Sequence, residues 1–174
     1  GCKELALRVS AASAHADVDL QPGLNRAFET IGMAKVSTSG HDAKRLGLFR
    51  EGDRVVLHPD RLIHEAKQSV LSLARSGYEP AREEKLRVAG REGKAVLQLG
   101  AQAMKLSGYI SDHDLKIAGK LAHVLAGGDV PAGSLVTEQY MLDLEREAFL
   151  SLCGEPKTQA RMQHMLAKGK PLRN

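Results

Sequence analysis

Apolar residues return at steps of three and four along nearly the whole chain, and few backbone geometries tolerate that rhythm. Leu24, Ala27 and Ile31 keep it, as do Ile63, Ala66, Val70 and Leu73, and then Val96, Leu99, Ala103 and Leu106. Leu115, Ala118, Ala122 and Leu125 repeat it, and Met141, Leu144, Ala148 and Leu152 continue the series. An α-helix turns once in about 3.6 residues, so these positions share one face; a strand would need a step of two. The expected fold is mainly α, with about seven amphipathic helices and one or two short strands. Each apolar stripe then requires something to bury it.

Helix punctuation agrees with this reading. Pro22, Pro59 and Pro156 suit first turns, where a missing N–H costs nothing. Ser39 with Asp42, and Ser111 with Asp114, have the spacing of a reciprocal N-terminal cap, with Asp in place of the usual Glu. Gly47, Gly77 and Gly108 are suited to helix ends. The β-branched pair in Val55, Val56 and Leu57 predicts a short extended segment, and Leu86 to Val88 a brief strand. The stretch GYEPAREEKLRVAGREG, residues 77–93, is rich in Gly and mixed charge and marks the main internal joint. The helices on either side of Gly108 are expected to form a hairpin.

Composition removes several function classes. No run approaches the ~18 apolar residues of a membrane helix. Net charge is only +4 and aromatics are 3%, which is too little for a nucleic-acid groove with a base-stacking platform. Cys2 and Cys153 stand far apart and read as reduced thiols of a cytoplasmic protein. The chain has no phosphate-loop, dinucleotide-binding or nucleophile-elbow motif. His58 and His64, six apart, do not share a helix face as a metal pair would.

Four local clusters bear on chemistry. Asp112, His113 and Asp114 diverge by about 100° per residue on a helix and fit first-turn capping. Glu145 and Glu147 diverge likewise, with Asp143 and Arg146 expected to pair. Met162 and Met165 read as core filler. Lys168, Lys170 and Arg173 follow a helix, where cations suit its negative end; the functional alternative is contact with a phosphate.

Residues 34–74, AKVSTSGHDAKRLGLFREGDRVVLHPDRLIHEAKQSVLSLA, resemble the C-terminal half of the enoyl-CoA hydratase (crotonase) family, with Ala43 to Leu48 and Leu62 to Ala66 in its helical motifs. The opening GCKELALR is similar to the end of that family's Gly-rich turn, which would put Gly1, Lys3 and Leu5 just after the oxyanion-hole loop. The closing block EREAFLSLCGEPKTQARMQHMLAKGKPLRN, with SGYISDHD and GGDVPAG before it, is similar to the end of fused bacterial 3-hydroxyacyl-CoA dehydrogenase/enoyl-CoA hydratase proteins of fatty-acid β-oxidation.

The resemblance implies the helical C-terminal portion of a crotonase-like α/β fold. It divides the chain into 1–76 (the end of the crotonase-like module), 77–136 (a family-specific helical insertion) and 137–174 (terminal helices). The family's catalytic glutamates, which act as general acid and base, would lie before Gly1, so no catalytic residue is expected here. The start at Gly-Cys-Lys without an initiator Met fits a fragment. Lys168, with Lys170, falls where the family meets the CoA phosphates, although Gly169 and Pro171 depart from its usual residues. For the parent the resemblance implies NAD, a CoA thioester substrate, a homo-oligomer and a thiolase partner. No cofactor is expected to stay bound to this segment. The rival expectation is a free-standing helical protein-interaction module.

Overall fold

The computed structural model describes residues 1–13, 18–50, 52–80 and 85–174. Among them are eight α-helices and two short strands. In chain order these are α1 (Cys2–Ala12), α2 (Gln21–Gly32), α3 (Gly40–Arg45), α4 (Leu62–Arg75), β1 (Lys85–Arg87), α5 (Gly90–Leu106), α6 (Asp112–Leu125), β2 (Leu135–Thr137), α7 (Glu138–Cys153) and α8 (Pro156–Lys168). The mainly helical expectation holds, with one helix more than expected. No described helix is long and apolar enough to cross a membrane.

The chain forms two compact units, Gly1–Lys35 with Glu84–Asn174, and Val36–Glu83. Within the larger unit β1 and β2 run antiparallel, with Lys85 opposite Thr137, Leu86 opposite Val136 and Arg87 opposite Leu135. The ladder closes residues 85–137 on themselves, and the packing of α1 on α6, α7 and β1 ties the first 35 residues to the last 90.

In the larger unit α6 is the hub, packing against α1, α2, α5 and α7. Its Leu121, Ala122, Val124 and Leu125 are all buried. Leu24 and Ala27 of α2 and Met141 of α7 also lie in the core, on the stripes the sequence marked. Leu86 of β1 is fully buried, and Ser10 of α1 accepts the Arg87 N–H at 2.8 Å, which fastens the strand to the first helix. The expected hairpin is present as α5 against α6.

The α5 face is a correction. The expected stripe Val96, Leu99, Ala103 and Leu106 faces outward, and Gly93, Leu97 and Ala101 are buried instead. Two further expectations also fail. Met162 and Met165 of α8 are exposed rather than core. Residues 55–57 form no strand; Val55 instead lies against Gly40, where an added Cβ would come within 2.7 Å of its Cγ1.

In the smaller unit, Ser39 caps α3 by accepting the Asp42 N–H at 3.0 Å, while the Asp42 carboxylate accepts from Thr38, one residue before the expected partner. Pro59 opens a 3-10 turn, Pro59–Arg61, that leads into α4. Helix α4 buries none of its residues, so the expected face of Ile63, Ala66, Val70 and Leu73 lies open. Arg54 holds this helix by bonds to Ser69 (2.9 Å) and Glu65 (3.3 Å). These contacts are polar, and none of them covers the apolar face.

Candidate functional site

The densest polar cluster joins α6, α8 and the end of the chain. Ser111 and Asp114 form the reciprocal cap that the sequence indicated. Ser111 Oγ accepts the Asp114 N–H at 3.1 Å, and Asp114 Oδ2 accepts the Ser111 N–H at 3.0 Å. The other carboxylate oxygen of Asp114 receives Arg161 Nη1 from α8 at 2.7 Å. Arg161 Nε in turn donates to Asn174 Oδ1 at 2.8 Å, and Lys116 Nζ reaches Glu155 at 2.8 Å. Burial pushes the Asp114 carboxyl up, but hydrogen bonds from Ser111 and Arg161 outweigh it and hold the group below the usual carboxylate range. Ser111→Ala is expected to cost about 1 kcal/mol, the usual worth of an N-cap, read as a lower urea midpoint at unchanged slope.

Inside this cluster sits a residue that periodicity alone would not reveal. His113 is buried, and its Nε2 lies 2.9 Å from Thr158 Oγ1 of α8. Desolvation lowers its pKa, and the Arg161 and Lys157 cations push the same way against Glu155 and Asp114. The neutral imidazole is therefore the form the fold accepts. The unfolded chain binds the proton more readily, so this contribution to stability is full above about pH 6.5 and is lost as pH falls through the lower folded value. His113→Gln keeps a group able to bond Thr158 but cannot titrate. The melting temperature of the parent sequence should fall more steeply than that of the variant between pH 7.5 and pH 5; parallel curves would contradict this.

Several other charged groups are paired. Lys3 bridges Glu4 and Glu138 at 2.6 Å each. Asp143 and Arg146 pair at 3.0 Å, as expected. Glu145 turns away from Glu147 and accepts the Cys2 N–H at 2.8 Å, so the two carboxylates do not converge. Burial, helped by the Glu145 charge, pushes the Cys2 thiol up to about 11, which keeps it protonated and a poor nucleophile at neutral pH. Lys94 pairs with Asp129 in the loop after α6. Among the described residues no three His, Cys, Asp or Glu side chains gather as a metal site.

Lys168 occupies the last turn of α8 and Lys170 follows the left-handed cap at Gly169. Both are exposed, and no described hydrogen bond or ion pair involves either ammonium. They are available cations, with no built cradle around them.

These clusters brace helices against one another, and none of them places an acid, a base and an open cleft together. Comparison with known proteins supplies what the geometry does not. The chain is 57% identical over 149 residues to a probable 3-hydroxyacyl-CoA dehydrogenase of Bacillus subtilis (strain 168). The match takes in 86% of this chain but 19% of the relative, so the chain spans about a fifth of the curated protein it resembles. No family model and no solved structure matches it.

Proposed function

We propose that these residues are a helical bracing segment of a longer 3-hydroxyacyl-CoA dehydrogenase polypeptide, and that the residues for hydride transfer belong to other parts of that polypeptide. The carrying observation is the identity of 57% over a stretch that makes up about a fifth of a protein so named. At that identity a shared local fold is expected, and about four fifths of a polypeptide so named lies outside the match. The parent would oxidise a 3-hydroxyacyl-CoA with NAD as hydride acceptor. The described residues do not suit NAD itself. A dinucleotide site needs a parallel strand, a Gly-rich turn and a helix, whereas the two strands here are three residues each and antiparallel. What this chain contributes is the buried hub of α6 and the polar bracing of α8.

Within this reading, Lys168 and Lys170 serve as contacts to the CoA phosphates. Exposed ammonium groups act as point charges there, with a modest effect. A double change to Glu in the full-length polypeptide is expected to raise KM for the CoA substrate about fivefold, roughly the energy of a solvent-exposed ion pair, at unchanged kcat. An unchanged KM would remove these lysines from the site. A hydratase activity in the same parent, a crotonase-like fold around this segment, homo-oligomeric assembly and a thiolase partner form the finer part of the reading. They rest on the family resemblance of residues 34–74 and 145–174.

The test is a paired assay. NADH formation from a 3-hydroxyacyl-CoA, and hydration of a 2-enoyl-CoA, are measured for the 174-residue chain and for the full-length polypeptide. The expected result is no turnover by the chain and both activities in the full-length protein. NADH formation by the chain alone, or its absence from the full-length protein, would overturn the dehydrogenase reading. Loss of the hydration arm alone would remove only the finer part.

A further inference from the structure

Helix α5 is apolar on two opposite faces. One face packs on the larger unit through Gly93, Leu97 and Ala101. The other carries Val96, Leu99, Ala103 and Leu106, with side chains 47%, 71% and 80% exposed at Val96, Leu99 and Leu106. From Ala95 to Met104 there is no charged residue, and Gln98 and Gln102 supply the only polar side chains. A helix at the surface of a soluble domain normally turns a charged face to water; one that is apolar all round is a buried helix. The face is also shaped for a particular kind of cover. Spacings of three, four and three between residues 96, 99, 103 and 106 form the seam of a packed helix pair. Gly100 lies beside that seam with no atom within 4 Å of where its Cβ would stand, which leaves room for a close-approaching helix.

We propose that the outer face of α5 is a docking site for a helix from the part of the parent polypeptide outside these 174 residues. This inference rests on the reading of the chain as a segment of a longer protein. The length of chain outside the structure favours an internal occupant, since the relative is about five times as long as the matched stretch. Tethering strengthens the case: a segment of the same polypeptide meets the face at an effective concentration of up to about millimolar, far above what a second copy supplies from solution. The occupant is then an amphipathic helix with an uncharged Leu-, Val- or Ala-rich seam, crossing α5 at about 20°.

Thiol accessibility tests this. Leu99→Cys, and separately Gln102→Cys at the edge of the seam, are introduced into the full-length polypeptide and into the 174-residue chain. Glu147→Cys, exposed on α7, serves as the accessible control. Maleimide labelling is followed by mass spectrometry on the peptide carrying each position. In the chain alone, residues 99, 102 and 147 should label at similar rates. In the full-length polypeptide, residues 99 and 102 should label at least about thirtyfold more slowly than residue 147, because access then requires local opening. The Gln102 variant removes no apolar side chain, so it keeps the test decisive if Leu99→Cys weakens the docking. Equal rates in a full-length polypeptide that forms NADH would overturn the docking and leave the proposed function standing. Protection in a polypeptide that forms none would do the reverse. Protection that disappears on dilution would assign the face to a second copy and overturn the proposal.

Discussion

Gly90→Ala is expected to remove about 3–5 kcal/mol of stability from a single added methyl group. Two costs combine at this position. The backbone has φ +61°, in the left-handed region, where a residue with a Cβ pays about 1–2 kcal/mol. The new Cβ would also stand 2.2 Å from the Val130 carbonyl oxygen and 2.7 Å from the Pro131 carbonyl carbon, so main-chain atoms would have to move. That loop is not free to move. Val130 O accepts the Arg91 N–H at 2.9 Å, Ala126 O accepts the Gly90 N–H at 2.8 Å, and Val88 O accepts the Gly133 N–H at 2.8 Å. Displacing it strains the junction of β1, α5 and the turn after α6 together. Gly100→Ala is the matched control, in the same helix with open space and no left-handed backbone. There the substitution should stabilise the 174-residue chain by about 0.5–1 kcal/mol, from helix propensity alone. Urea unfolding of both variants measures the contrast. A similar midpoint for the two would show that the loop yields, and that the close approach at Gly90 is not structural.

The same region shows how far the sequence could be read. Periodicity located α5 as a helix and predicted the hairpin with α6, because both depend on local spacing. It chose the wrong face because it counts large apolar side chains, whereas α5 meets its unit partly through Gly93 and Ala101. Close packing through small residues leaves little hydrophobic signal, and the larger Val96, Leu99 and Leu106 were left for a cover that lies outside the described chain. Where only one face of a helix is apolar, as at Leu24 and Ala27 or at Met141 and Ala148, the reading and the burial agree. The cap at Ser111 was legible because it spans only three residues. The His113–Thr158 contact was not, since it joins positions 45 residues apart and local patterns do not record which helix lies opposite. The smaller unit failed in another way: the stripe on α4 is real in sequence, but no described apolar layer covers it. The lysines at 168 and 170 stand out in the sequence by charge alone, and charge without a surrounding cradle does not define a ligand.

Leu125→Ala tests the claim that α6 is the hub. Leu125 is 1% exposed and belongs to the same buried cluster as Leu24, Leu86, Leu121 and Met141. Truncation removes three side-chain carbons from a helix with neighbours on several sides, so the cavity cannot collapse by moving any one of them. The expected loss is about 3–4 kcal/mol, combining transfer and cavity terms. Against a typical total of about 5–15 kcal/mol this is a large fraction. The backbone is not the cause, since Ala is at least as good a helix former as Leu. Leu106→Ala makes the same chemical change at a side chain that is 80% exposed, and should stay within about 0.5 kcal/mol in the 174-residue chain. Both variants should keep the parent's urea slope, because the surface released on unfolding hardly changes. In the full-length polypeptide the order narrows: if a helix covers the outer face of α5, Leu106 becomes a packed residue there and its truncation begins to cost stability. A Leu106 effect that is small in the chain and remains small in the full-length protein would count against that cover. Equal losses at residues 125 and 106 in the chain alone would mean that the core does not centre on α6.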